Sequence, residues 1–148
     1  MNLVFGPIGS MLTKSDLEKL AEMRLKDANL LLSEGRASSA YYLAGYSLEL
    51  AFKVCIANQI QSAVIPDKAF INAVYTHRLD NLLGLAGLRP QFDVDSRADS
   101  KLNAYWAIVT KWDEQSRYEF WDPVSAGSLL TAIDDPGNGV FQWVKKHW

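Results

Sequence analysis

At 148 residues the chain is long enough to form one domain with its own core, and 49% hydrophobic side chains with only five prolines exclude a disordered segment. Its 15 basic and 17 acidic side chains give a net charge of −2 and no run of like charge, which excludes a broad basic stripe for gripping nucleic acid. Cys55 is the single cysteine, so a disulfide framework and a zinc cluster are excluded as well.

Gly6, Pro7 and Gly9 make residues 1–12 an N-terminal tail ahead of a single helical domain over 13–148. The start, MNLVFGPIGSML, lacks the basic and continuous apolar regions of a secretory signal, and no apolar stretch reaches the roughly 18 residues of a membrane span. No membrane contact and a cytoplasmic location are therefore expected. Ser15 with Glu18 three residues on is a capping-box pattern, and Leu17, Leu20, Ala21, Ala28 and Leu31 then recur at helical spacing until Gly35, predicting a helix over 14–33. Residues 35–61 form a second helix, apolar on nearly every side, as suits the middle of a bundle. The short break between the two sets them antiparallel. Cys55 inside it reads as a buried small hydrophobe.

After Pro66 and Asp67, residues Phe70, Ile71 and Val74 predict a turn of helix, and 77–86 a third helix with Leu79, Leu82, Leu83 and Ala86 inward, closed by Gly87 and Pro90. Residues 89–99, with three aspartates, read as a polar loop. A fourth long helix carries Leu102, Tyr105, Ile108, Val109 and Trp112 on one face and continues through Asp113 and Arg117 to Pro123. Residues 124–133 suit another helix, and Asp135 before Pro136 supplies a cap and a first-turn proline for a short last helix, GNGVFQWVKKHW. Strand alternation and internal repeats are absent, so the fold class is all-α, an up-and-down bundle of about five helices.

The central helix has one polar seam: Tyr42, Tyr46, Glu49 and Lys53, spaced four, three and four apart on one face. Either this seam is a site, or Glu49 and Lys53 form a helical ion pair in the favourable order while the tyrosines send their hydroxyls to water. No His and carboxylate spacing of the HExxH or DxDxDG type occurs, and the GNG at 137–139 lacks the Lys-Ser or Lys-Thr of a phosphate loop, so neither a metal nor a cofactor is expected.

Three blocks in order, GRASSAYYLAGYSLELAFKVCIA, THRLDNLLGLAGL and WDEQSRYEFW, with the terminal VFQWVKKHW, resemble the prokaryotic HEPN domains over roughly residues 17–148. The resemblance implies a HEPN-like helical bundle, a homodimer, and a minimal nucleotidyltransferase as partner in a toxin–antitoxin or phage-defence system. It also implies nucleotide or RNA as ligand, since many HEPN domains are metal-independent ribonucleases with an arginine and, beyond a gap of four to six residues, a histidine. In that pair the cation steadies charge on the phosphorus while the imidazole moves the 2′-hydroxyl proton. Arg117 stands at the matching place, but the three positions beyond that gap are Asp122, Pro123 and Val124.

The histidine of the pair is missing, which points to a binding module with Tyr46, Glu49, Lys53, Asp113 and Arg117 at the nucleotide or RNA. The alternative is a divergent ribonuclease drawing on Arg117 with Tyr118, Glu119 or His77. A third reading is an interaction module whose seam only fixes helix register. His77 leads the third helix and His147 is read as solvated. Arg117 either projects with Tyr46, Glu49 and Lys53 into a phosphate-holding cleft, or pairs with Asp113 or Glu49. Trp106, Trp112 and Trp121 either stack on bases or fill the core.

Overall fold

The structure, a computed structural model, describes residues 12–148, so the tail expected over 1–12 lies, Leu12 apart, outside the described residues. Over them the chain is all-helical, without a strand. Helix α1 spans Lys14–Ser33. Its capping box is built two residues earlier than Ser15–Glu18. Thr13 Oγ1 accepts from the Asp16 amide at 3.0 Å and the Asp16 carboxylate accepts from the Thr13 amide at 3.1 Å. At the other end Gly35 takes φ +77°, which lets its amide reach Leu32 O at 3.1 Å and the Arg36 amide reach Leu31 O at 2.8 Å. That pair of bonds satisfies the last carbonyls and turns the chain back on itself.

Helix α2, Ala37–Ala57, lies along α1 and is the hub of the fold. Leu48, Phe52, Val54 and Ile56 are fully buried in it, and α4 (Leu79–Leu85), α7 (Pro123–Asp134) and α8 (Val140–Lys145) all pack on it. Gly45 is small for a reason: a Cβ there would stand 2.2 Å from carbons of the Trp112 ring. Cys55 is buried, as expected, with Sγ 3.8 Å from Val144 O.

Eight α-helices and one 3₁₀ helix stand among the described residues where about five helices are expected, and the excess has local causes. Asp67 accepts from the Phe70 amide and starts α3, Lys68–Val74. Residues 89–99 are not a loop. Pro90 sits in the first turn of α5, Arg89–Ala98, so that proline opens a helix instead of closing one. Phe92 is the one buried residue of α5, too few for an apolar stripe.

The long fourth helix is broken. Helix α6, capped by Asp99, runs only Ser100–Val109, and Asp113, extended at φ −145° and ψ 173°, opens the 3₁₀ helix Glu114–Tyr118 with its Oδ1 on the Gln115 amide at 2.8 Å. Trp112, still buried beyond the end of α6, turns into the space that Gly45 leaves. Asp135 does not cap the last helix. It accepts from the Gly137 amide and the Tyr105 hydroxyl, and α8 begins after Gly139. No helix among the described residues is long and apolar enough to cross a membrane.

Candidate functional site: a cleft at the amino end of the central helix

The polar seam of α2 resolves into a charged chain. Glu49, only 2% exposed, binds Lys53 Nζ through Oε2 at 3.0 Å and faces His77 Nδ1 at 3.0 and 3.1 Å. On its other side, His77 Nε2 stands 3.1 Å from Glu114 Oε2 of the 3₁₀ helix. A buried carboxylate is tolerable only with partners, and Glu49 has two. Burial first, then the charge of Glu49, raises the pKa of the Tyr46 phenol. The helical Glu49–Lys53 pair read from spacing is therefore present, joined by two residues from distant parts of the chain.

Arg117 lies elsewhere. It pairs neither with Glu49, which is occupied, nor with Asp113, which caps the 3₁₀ helix; among the described residues it forms no ion pair with a carboxylate. Its guanidinium sits 4.8 Å from the centre of the Tyr118 ring, and the Tyr118 and then the Tyr42 phenol hold its pKa above the ordinary arginine value. It lines a cleft of about 400 Å³ with Ser38, Ser39, Tyr42, Ser116 and Glu119. Of the five residues expected at a nucleotide, Arg117 alone lines this cleft; Tyr46, Glu49 and Lys53 lie further along α2, and Asp113 is spent on its cap.

Two properties make the cleft receptive to an anion. Arg36, at the N-cap of α2, offers no side-chain acceptor, so the first amides of this 21-residue helix present the positive end of its dipole beside Ser38 and Ser39. Ser116, 2% exposed, has a hydroxyl with no partner among the described residues. The indole nitrogens of Trp112 and Trp121 are also buried without partners, so all three such atoms belong to the stretch that crosses α2. Buried polar groups are ordinarily satisfied, so three orphan atoms in one stretch set it apart from the rest of the core. Glu119 on the rim favours a ligand with hydroxyl or amino groups next to its anion.

The tryptophans fill the core and brace the cleft. Trp121 stacks on Tyr41 at 3.7 Å, Trp112 on Tyr42 at 6.2 Å, and Trp106 meets Phe92 at 4.9 Å. Trp121 is held further by its amide, which donates to Ser38 Oγ at 2.8 Å. Beside the cleft Tyr118, the fully exposed Phe120 and Val124 are open to solvent, and Tyr75 at the end of α3 is exposed as well. His147 is not solvated as expected but half-buried, its ring 4.6 Å from that of Trp143. Among the described residues no group of three or more His, Cys, Asp or Glu side chains is placed to hold a metal ion.

Sequence reasoning missed Glu114 and Ser116. Neither has a local signal beyond following the Asp113 cap. No family model, curated protein or solved structure matches this chain.

Proposed function

We propose that this chain is a binding module of HEPN type that takes the phosphate of a nucleotide or RNA segment in the cleft between the amino end of α2 and the 3₁₀ helix. One observation carries the reading: among the described residues the guanidinium of Arg117 has no carboxylate partner, and it lines a cleft at a helix amino end beside Ser116, whose buried hydroxyl is unpartnered. A second copy of the chain and a nucleotidyltransferase are the partners that the resemblance implies. The exposed Tyr118, Phe120 and Val124 beside the cleft support such a contact. Fluorescence anisotropy of a labelled oligoribonucleotide and a labelled nucleotide tests the proposal. Loss of one charge-assisted contact in Arg117→Ala weakens binding about tenfold or more; equal affinity in the variant and wild type overturns it.

A second reading, a divergent metal-independent ribonuclease, is favoured by a different observation. Residues three apart eclipse in a 3₁₀ helix, so Glu114, in contact with His77, shares an edge with Arg117. An imidazole in contact with Glu114 and a guanidinium one 3₁₀ turn beyond it thereby neighbour one carboxylate without the sequential motif. Incubation of labelled total RNA without added metal separates the readings. Cleavage lost in both His77→Ala and Arg117→Ala makes the protein a nuclease; binding without cleavage by the wild type leaves the module.

A further inference from the structure

His77 and Arg117 have one acidic neighbour in common. Glu114 touches the imidazole through Oε2, 3.1 Å from Nε2, and precedes Arg117 by one 3₁₀ turn; its charge also contributes to raising the pKa of the guanidinium. We propose that His77 gates the Arg117 cleft by competing for Glu114: the charged imidazole holds Glu114 away and leaves Arg117 open to an anion, whereas the neutral ring releases Glu114 to occupy Arg117. This rests on the reading of the cleft as a phosphate site and assigns its regulation.

The asymmetry of the two carboxylates sets the direction. Holding both at once, Glu49 by a hydrogen bond through Nδ1 and Glu114 by the charge at Nε2, needs the protonated ring, and the neutral ring has a single N–H. Glu49 has a side chain only 3% exposed, against 36% for Glu114, so leaving Glu49 short of a donor costs more. The remaining proton therefore stays on Nδ1 toward Glu49. Nε2 then turns a lone pair on the Glu114 carboxylate, which leaves it.

The charged groups facing His77 are Glu49 and Lys53 from α2 and Glu114 from the 3₁₀ helix, with the Tyr46 phenol beside Glu49. Arg78 and Asp80, on its own side of the fold, pair with each other at 3.5 Å. Around Arg117 stand Tyr42, Tyr118 and the rim Glu119, so Glu114 is the carboxylate whose availability the imidazole controls.

The test is the affinity of a short oligouridylate carrying a pH-insensitive rhodamine label, whose phosphodiesters keep a constant charge, at about pH 6 and about pH 8. Wild-type binding weakens by about threefold to fivefold at the higher pH, the worth of an exposed ion pair. Glu114→Gln keeps the tighter affinity at both, with far-UV circular dichroism confirming its fold. A wild-type affinity that does not fall, or a Glu114→Gln variant that retains the fall, overturns the gate. Arg117→Ala separates the two layers: if it binds like wild type at the lower pH, the cleft reading fails, whereas if it weakens binding there while the wild type shows no pH response, only the gate fails. Nitrogen NMR of the wild type is the check that needs no variant. The neutral His77 ring carries its proton on Nδ1, and finding it on Nε2 refutes the mechanism.

Discussion

The face of α2 that meets α1 and α7 and the face crossed by residues 110–122 obey different rules. On the first, Ala40, Ala44 and Leu48 are sealed among apolar neighbours, and helical hydrogen bonding satisfies the backbone. On the second, among the described residues, three buried polar atoms lack partners, an arginine lacks a carboxylate and a phenylalanine is fully exposed. A fold whose parts agree locally departs from that agreement where it has something to bind. The first face holds the chain together, and the second is where a ligand or partner would be felt.

The widest separation between the sealed core and the cleft comes from paired substitutions. Phe52→Ala empties the sealed core of α2, where the ring meets Trp106 of α6, and lowers stability by about 3–5 kcal/mol, read as a fall of roughly 10 °C or more in the thermal midpoint. Arg117→Ala leaves the midpoint within about 0.5 kcal/mol of wild type while weakening the oligoribonucleotide about tenfold. If the arginine variant unfolds as readily as the phenylalanine variant, the distinction collapses.

A smaller effect is written in the pH dependence of the core. Burial pushes the Cys55 thiol from 9.0 up to about 11. The unfolded chain therefore releases that proton first, so the stability held by the neutral thiol is whole below about pH 9 and lost as the pH climbs toward about 11. Denaturant midpoints of wild type and Cys55→Ala converge across that window; a constant gap would show the thiol exposed in the native state. The smallest effect is at Ser116. Replacing an unsatisfied hydroxyl by Ala changes stability by less than about 1 kcal/mol and in the favourable direction, yet reduces ligand affinity. A marked loss of stability on calorimetry would mean that the hydroxyl is bonded after all.

The elements legible in the sequence are those with strong local signals. Helix α1 matches its expected span because an apolar stripe fills it and Gly35 supplies the left-handed stop. The burial of α2 follows from its apolar circumference, and the Glu49–Lys53 bond from a spacing of four. Helix α5 escaped because a single buried Phe92 makes no period, and the break after Val109 escaped because Asp113 reads as an ordinary helical residue until its extended backbone is seen. Arg117 was legible as a candidate, but its surroundings were not.

By itself the sequence determined an all-helical chain, its central helix and the short-range pairs that a 3.6-residue turn brings together. Only the tertiary structure decided that His77 would join Glu49 across 28 positions and reach Glu114. It also decided that Arg117 would face the uncapped end of α2 without a carboxylate of its own. The reason is physical: spacing encodes which side chains share a helix face, whereas contacts between elements follow from how the whole core packs, and a five-residue 3₁₀ helix between two turns has no period to announce it.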